Sequence, residues 1–212
     1  MKIAEIFYSI QGESTYSGLP CLFIRTSGCN LNCFYCDTKY ARTPKYQLTN
    51  DEILKKINNL SHTKLIEITG GEPLLQEDIY LLFQLLHEHK FQILLETNGS
   101  RDLKKVPEFV AKIIDVKTPS SGHSDSFKFS NLNYLHPEKD NLKFVLSNLN
   151  DYQWMKNFLQ INHISGPYIL VSPVFSTINP QTLVENILKD GINVRFQLQL
   201  HKYIWDPTKI GV

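Results

Sequence analysis

The sequence lacks the patterns that direct a chain to a membrane or to nucleic acid. Its 212 residues contain no apolar stretch that approaches the length of a membrane span. The first residues, Met1–Glu5, lack the apolar region of a signal peptide. No run of five basic residues occurs, and 22 Lys and Arg against 21 Asp and Glu give a formal net charge of +1. We therefore expect a cytoplasmic protein with neither a membrane nor a nucleic-acid partner.

Internal repeats and linkers are also absent from the sequence. Hydrophobic residues make up 42% of the chain and charged residues 20%, which is typical of a globular protein. A chain of this length can bury one sizeable core. We therefore predict a single domain that spans residues 1–212.

Cysteine is scarce, but three of the four cysteines lie within eight positions. Cys29, Cys33 and Cys36 have the spacing C-x3-C-x2-C. Clustered thiolates repel one another unless a cation holds them, and the thiolate is the form that binds soft metals. In a reducing compartment such a cluster favours a metal site or catalysis over disulfide bonds. Three ligands leave one iron of a four-iron cluster open, and an open coordination position suits catalysis.

A structural zinc site is the alternative interpretation of these cysteines. Cys21 or a histidine could supply the fourth ligand that such a site requires. Cys21 follows Pro20 and enters a predicted strand, where a buried apolar role is more typical of cysteine. We therefore favour the iron–sulfur site.

Predicted strands and helices alternate along most of the chain. Strands are predicted at residues 3–10, 22–25, 64–69, 91–96, 113–116, 142–146, 168–171 and 193–201. Helices are predicted at residues 49–60, 77–90, 104–111, 151–161 and 179–191, and a long loop at 119–141. This alternation is typical of βαβ units. We therefore predict an α/β fold with a curved, mostly parallel sheet, or a partial (βα)6-type barrel.

Polar and glycine-rich residues follow the predicted strands. They comprise the cysteine loop, Gly70–Pro73, Glu96–Gly99, Asp115, Lys117, Ser147, Ser172 and His201. In parallel βα folds, ligands bind at the carboxyl ends of the strands. One such strand end alone could be a simple turn. The whole set, together with three cysteines, predicts one shared site.

Two of these motifs resemble the signature of radical S-adenosylmethionine enzymes. Cys29, Cys33 and Cys36 match the cluster motif, and Gly70–Pro73 matches the second motif, which contacts the methionine amino group in that superfamily. The resemblance implies a [4Fe-4S] cluster whose open iron chelates S-adenosylmethionine. Reductive cleavage of that cofactor then gives a 5′-deoxyadenosyl radical, while the protein positions and shields the chemistry. Tyr35 stands where the superfamily places an aromatic residue near the adenine.

A narrower resemblance, to the 7-carboxy-7-deazaguanine synthase (QueE) family, covers nearly the whole chain. It rests on Glu5–Glu13, Gly18–Arg25, Cys36–Thr38 and Gln199–Lys202. It implies a carbon–nitrogen lyase that converts 6-carboxy-5,6,7,8-tetrahydropterin to 7-carboxy-7-deazaguanine with loss of ammonia, in queuosine and other 7-deazapurine biosynthesis. In that reaction a substrate hydrogen is abstracted, the ring contracts, the hydrogen returns, and Mg²⁺ assists. The resemblance also implies a homodimer and a reductant such as flavodoxin or ferredoxin.

The same resemblance assigns roles to individual residues. Those implied to bind the substrate are Ile10, Gln11, Gly12, Glu13, Arg25, Thr69, His201 and Val212. Those implied to bind the cofactor are Tyr35, Cys36, Asp37, Gly71, Glu72, Glu96, Asn98, Asp115, Val116, Lys117 and Ser172. Thr38 is implied to bind Mg²⁺, a hard cation for which an oxygen ligand is suitable. Asp115 and Val116 stand where many members have serine and proline, so only Lys117 matches that part of the family pattern.

Two other functions are compatible with parts of the sequence. A glycyl-radical activase shares the C-x3-C-x2-C spacing, but it would not need Gln11–Glu13, Thr38 or the His201–Lys202 ending. A zinc-stabilised binding module without catalysis would need only the three cysteines and a fourth ligand, from Cys21 or a histidine.

Overall fold

The fold is built on one sheet, which the computed structural model describes for residues 1–166 and 168–212. In these residues nine strands are joined in the order β3-β1-β2-β4-β5-β6-β7-β8-β9. The strands are β1 (Lys2–Ile10), β2 (Pro20–Thr26), β3 (Tyr46–Gln47), β4 (Leu65–Gly70), β5 (Gln92–Thr97), β6 (Val110–Asp115), β7 (Asn141–Leu146), β8 (Ile169–Pro173) and β9 (Arg195–Phe196). β1 runs antiparallel to β2 and β3. From β2 to β9 all neighbouring strands are parallel.

In the described parts of the chain, five α-helices connect or follow these strands. They are α1 (Asn50–Leu60), α2 (Ile79–Glu88), α3 (Leu149–Ile161), α4 (Pro180–Asp190) and α5 (His201–Ile204). The start of α1 has the predicted capping box, in which Thr49 and Glu52 bond each other's backbone N–H groups. None of the described helices is long and apolar enough to cross a membrane.

The two faces of the sheet differ because side chains alternate along each strand. On β4, Ile66 and Ile68 belong to the main apolar core under the helices, together with Leu82 and Phe83 of α2. Full burial of side chains of this size contributes about 1.5–3 kcal/mol each. The intervening Glu67 instead lines a cavity on the opposite face. The expected α/β fold with a curved, mostly parallel sheet is confirmed.

Three local predictions need correction. Residues 104–111 form no helix, because Val110 and Ala111 already pair with β5 as the start of β6. The strand predicted at 193–201 shrinks to β9, and His201 begins the short helix α5. The loop at 119–141 contains two 3-10 helices, Pro119–Ser121 and Phe129–Tyr134.

Candidate active site

A cavity of about 450 Å³ lies at the carboxyl ends of the central parallel strands. The predicted site residues that line it are Ile10, Gln11, Gly12, Glu13, Arg25, Cys29, Cys33, Tyr35, Cys36, Asp37, Thr38, Thr69, Gly71, Glu96, Asn98, Asp115, Lys117, His201 and Val212. Residues from both ends of the chain therefore meet around one space, as expected where parallel strands end at a common rim.

Three predicted cofactor-binding residues lie outside the cavity lining, and their contact with the cofactor stays a prediction. Glu72 is fully buried and its carboxylate is used by neighbouring groups of the protein. Val116 packs into the main apolar core on the helix side of the sheet. Ser172 is fully buried, and its hydroxyl has no hydrogen-bond partner among the described residues.

The three clustered cysteines all reach the cavity, and all are free thiols. The Sγ of Cys29 accepts hydrogen bonds from Leu31 N at 3.4 Å and from Asn98 Nδ2 at 3.9 Å. Burial raises the pKa of Cys33, and the charges of Asp115, Cys36 and Cys29 add to this effect against the opposing charge of Lys117. Thiolates in such a position need a bound cation, so the donor set fits an iron–sulfur cluster.

The geometry does not favour a closed zinc site. Among the described residues, no group of three His, Cys, Asp or Glu side chains is arranged to hold one metal ion. A four-iron cluster has no such requirement, because each thiolate binds a different iron. Cys21 lies at the far end of β2, buried among Phe23 and Leu94, and its thiol donates to the carbonyl of Leu22.

The second motif locks the cysteine loop to the sheet. The N–H of Glu72 donates to the carbonyl of Gly28 at 2.8 Å. A Cβ at Gly71 would lie 2.0 Å from the same carbonyl oxygen, so only glycine permits this approach. The Glu72 carboxylate accepts from Leu74 N at 3.0 Å, Thr97 Oγ1 at 2.8 Å and Asn98 N at 2.8 Å. Burial raises the pKa of Glu72, and these hydrogen bonds oppose the rise.

The part of the cavity wall that is built by the loop after β1 and by β4 and β5 is acidic. Gln11 donates its amide to Glu67, and the Gln11 side-chain carbonyl accepts from the N–H of Glu13 at 3.0 Å. Burial raises the pKa of Glu67 to about 8, and the charge of Glu96 adds to the rise. Burial also raises the pKa of Glu96, but Lys143 outweighs it and holds that pKa at about 2. At neutral pH the wall thus presents one mainly protonated carboxyl beside an ionised one.

Arg25 enters the cavity from β2 with its guanidinium already oriented. Its Nε donates to Glu5 Oε1 at 2.6 Å, and the hydroxyl of Tyr40 donates to the same oxygen at 2.6 Å. The guanidinium is planar and carries further donors, so fixing one edge aims the other.

The C-terminal segment closes over the N-terminal loop. Gln199 Nε2 donates to Glu13 Oε1 at 2.8 Å, and the N–H of Leu200 donates to the carbonyl of Gly12 at 3.0 Å. The ring of His201 lies so near Gly12 that a Cβ there would be 2.3 Å from Nδ1. Burial lowers the pKa of His201, which favours a neutral imidazole at pH 7.

Two further residues of the cysteine loop point into the site. The hydroxyl of Tyr35 donates to the carbonyl of Val145 at 3.3 Å, and burial raises its pKa to about 12. Thr38 donates its hydroxyl to Asp37 at 2.7 Å and makes no side-chain cap to the following 3-10 helix. Burial tends to raise the pKa of Asp37, but Lys202 lowers it to about 2. The oxygen of Thr38 keeps lone pairs free for a cation.

Comparison with known proteins agrees with this geometry. The model of the radical SAM superfamily matches residues 23–124. The chain is 39% identical to the 7-carboxy-7-deazaguanine synthase of Koribacter versatilis, over the full length of both chains. It is 43% identical to the synthase of Chlorobaculum tepidum, over the whole of this chain and 97% of the relative.

The chain belongs to the 7-carboxy-7-deazaguanine synthase family. The sequence-based assignment to this family within the radical SAM superfamily is confirmed. The protein is accordingly a radical SAM enzyme with a [4Fe-4S] cluster and S-adenosylmethionine as cofactors. The activase and zinc-module alternatives find no support among these relatives.

Solved structures share the fold of this 7-carboxy-7-deazaguanine synthase family member. The crystal structure of QueE from Escherichia coli matches with a TM-score of 0.73 at 21% identity, covering 92% of this chain and 93% of that chain. The structure of Streptococcus suis SuiB bound to S-adenosylmethionine matches with a TM-score of 0.54 at 16% identity, covering 81% of this chain and 48% of that chain.

Four charged residues that line the cavity were not predicted from the sequence, and two of them, Glu67 and Lys143, lie on the sheet, whereas Arg42 and Lys202 do not. The two sheet residues share one feature. Each lies in the middle of a mostly apolar strand, Glu67 in β4 and Lys143 in β7. The sequence did contain a signal for both residues. Each is a charged residue within a strand, and it lies on the same face as the polar residue at the end of that strand.

Proposed function

We propose that this protein converts 6-carboxy-5,6,7,8-tetrahydropterin to 7-carboxy-7-deazaguanine with loss of ammonia, in the biosynthesis of queuosine or another 7-deazapurine. The observation that carries the proposal is the meeting of Gln11–Glu13 with His201 across a cavity that also contains the three cysteines. An activase would not need the polar wall that these two chain ends build. Full-length similarity to named synthases supports the same reaction.

The acidic wall suits the donor-rich edge of a pterin. Glu13 is a carboxylate that can accept from the amino and ring N–H groups of the substrate in a charge-assisted pair. Glu67, mainly protonated, can donate to a ring nitrogen or carbonyl oxygen. Arg25 offers its free guanidinium edge to the substrate carboxylate, which is a bidentate task. Thr69, His201 and Val212 complete the proposed substrate site.

Two groups of residues are proposed to hold the cofactors. Cys29, Cys33 and Cys36 bind the cluster, and Tyr35, Gly71 and Asn98 contact S-adenosylmethionine. When bound, these cofactors supply the radical chemistry that removes a hydrogen atom from the substrate. Thr38 would hold Mg²⁺, a hard cation for which its hydroxyl oxygen is a suitable ligand.

The reductant, the cellular location and the oligomeric state of the protein are also part of the proposal. The cluster needs a one-electron reductant such as flavodoxin or ferredoxin, and free clustered thiols favour the reducing cytoplasm. We also propose that the chain forms a homodimer, as an analogy with the family.

Anaerobic reconstitution and assay test the proposed function. Protein treated with iron and sulfide should turn brown and hold about four irons per chain. Cys33→Ser should lose this iron, whereas Cys21→Ser, in a buried thiol away from the cavity, should retain it. A colourless protein with a single zinc would contradict the cluster.

The substrate is tested with the reconstituted enzyme, S-adenosylmethionine, dithionite and 6-carboxytetrahydropterin, with products followed by mass spectrometry. We expect 7-carboxy-7-deazaguanine and released ammonia in equal amounts. Cleavage of S-adenosylmethionine without formation of the deazaguanine would contradict the proposed substrate.

A further inference from the structure

Three carboxylates surround the ammonium of Lys143, a residue in the middle of β7. Its Nζ lies 2.9 Å from Glu13 Oε2 and 3.6 Å from Asp115 Oδ2, and it also donates to Glu96 Oε1. The lysine side chain is only 4% exposed. A lysine is rarely buried to this extent unless it is paired, and here the partners come from three different segments of the chain.

Glu13 and Glu96 are each held by a second donor. The other oxygen of Glu13 accepts from Gln199 Nε2 at 2.8 Å, and the other oxygen of Glu96 accepts from Thr69 Oγ1 at 2.8 Å. Each carboxylate is thus fixed by the ammonium on one oxygen and by a neutral donor on the other. An ionised carboxylate has about four lone-pair sites, so both groups retain acceptor capacity for a ligand.

The charges that face Lys143 explain why an ammonium is needed at this position. Four acids share its side of the cavity: Glu67 from β4, Glu96 from β5, Asp115 from β6 and Glu13 from the loop after β1. Besides Lys143, the titratable groups of opposite or no charge that face these acids include Lys117, His201 and Arg25. Lys117 lies 2.9 Å from Asp115 and pairs with it. Without Lys143, the carboxylates of Glu13 and Glu96 would lose their common cation and repel each other.

We propose that Lys143 is a positioning residue that holds the carboxylates of Glu13 and Glu96 ionised and aimed at the pterin. This inference rests on the proposed function, and it assigns Glu96 to the substrate rather than to the cofactor contact that the family resemblance implied. Lys143 does not itself react. It joins the N-terminal loop to the ends of β5 and β6, so that both acceptors keep one geometry before the substrate arrives.

Lys112 provides a matched control for this proposal. It too is a buried lysine on the sheet, 2% exposed, and its Nζ donates to Asp140 Oδ2 at 2.7 Å. It lies outside the cavity lining. Replacing Lys112 therefore removes a similar buried ion pair that lies outside the site. Lys112→Met thus shows how far ligand binding changes when a buried ion pair is lost elsewhere in the sheet.

The test compares wild type, Lys143→Met, Lys143→Arg and Lys112→Met as reconstituted enzymes without reductant. The dissociation constant of 6-carboxypterin, a fluorescent oxidised analogue of the substrate, is measured by titration, and that of S-adenosylmethionine by equilibrium dialysis. We expect Lys143→Met to weaken pterin binding by about 30-fold or more, the low end for removing one partner of a buried charge pair. Its affinity for S-adenosylmethionine should change less than about threefold.

Lys143→Arg retains the cation and should recover most of the pterin affinity, whereas Lys112→Met should bind the pterin like wild type. Equal loss of pterin and cofactor affinity in Lys143→Met would show a merely structural role and overturn the proposal. Unchanged pterin affinity would overturn it as well. If the wild type binds the pterin but forms no 7-carboxy-7-deazaguanine, the proposed function fails while the positioning role stands.

A second variant keeps the proposal testable if Lys143→Met does not fold. Lys143→Gln retains a hydrogen-bond donor but removes the charge that holds the pKa of Glu96 low. Glu96 should then remain protonated to a higher pH. Between pH 6 and pH 8, pterin binding by this variant should therefore strengthen more than pterin binding by wild type does. An identical pH dependence in both proteins would overturn the proposal.

Discussion

The side-chain amide of Gln11 donates to the carboxyl of Glu67 across 56 positions of sequence. This bond joins the loop after β1 to the middle of β4. Burial, together with the charge of Glu96, raises the pKa of Glu67 from 4.5 to about 8. The pair therefore carries little net charge at neutral pH, which is why it can be buried in the cavity wall.

The raised pKa of Glu67 predicts a pH-dependent effect of Glu67→Gln. The folded state binds this proton more tightly than the unfolded chain, so the stability that Glu67 contributes is complete below about pH 4.5 and is lost as the pH rises to about 8. Glutamine cannot titrate but can still pair with Gln11. The free energy of unfolding of the variant, relative to that of wild type, should therefore be higher at pH 8 than at pH 5.

Urea unfolding of the apo-protein at both pH values measures this gain. Glu88→Gln, at an exposed position, is the control substitution. A difference between wild type and Glu67→Gln that stays constant with pH would contradict the raised pKa.

Replacing Arg25 with lysine should weaken substrate binding selectively. Lysine can keep the charge beside Glu5, but it cannot place two parallel donors on the substrate carboxylate. We expect KM for the pterin to rise at least about tenfold, since a charge-assisted hydrogen bond contributes about 1.5–3 kcal/mol. Steady-state assays give KM for both substrates. An equal rise of KM for S-adenosylmethionine would argue against a substrate-specific role.

Substituting Gly71 with alanine should disrupt the junction of the cysteine loop with β4. The new Cβ would lie 2.0 Å from the carbonyl oxygen of Gly28, which belongs to the backbone and cannot rotate away. We expect a loss of about 1–3 kcal/mol or more in the free energy of unfolding, together with lower iron content after reconstitution.

Gly191→Ala is the matched control for this prediction. Gly191 ends α4 with a φ of +60°, and a Cβ there meets nothing within 4 Å. Because of backbone strain, Gly191→Ala should lower the free energy of unfolding by only about 1 kcal/mol, and it should leave the iron content unchanged. Equal iron content in both variants would contradict the proposed junction.

Glu72→Gln distinguishes a structural role from a cofactor contact. The Glu72 carboxylate accepts from Leu74, Thr97 and Asn98, and an amide NH₂ in place of one oxygen would face a donor. The buried mismatch should lower the free energy of unfolding by about 1–3 kcal/mol. Thermal denaturation measures the loss, and equilibrium dialysis measures the affinity for S-adenosylmethionine. A loss of affinity for S-adenosylmethionine without a loss of stability would support a direct contact between Glu72 and the cofactor.

Much of the fold could be predicted because its signals are local. The capping box at Thr49 and the asparagine-proline pair at Asn179 mark the starts of α1 and α4. The helix expected at 104–111 failed because pairing with β5 is a long-range contact that propensity does not register. The three metal-binding cysteines could also be predicted from local sequence, since spacing alone brings Cys29, Cys33 and Cys36 together.

The sequence by itself determined the chemistry: three thiols on one loop, a glycine pair at the end of β4, and the class of cofactor that such a donor set can hold. The tertiary structure alone decided which charges face that chemistry. Glu13 and Lys143 are 130 positions apart, and only the register of the sheet and the curvature of its strands bring them into contact. Local spacing fixes short-range geometry through the covalent chain, whereas the balance of buried charge depends on strand pairing and on which face each side chain takes.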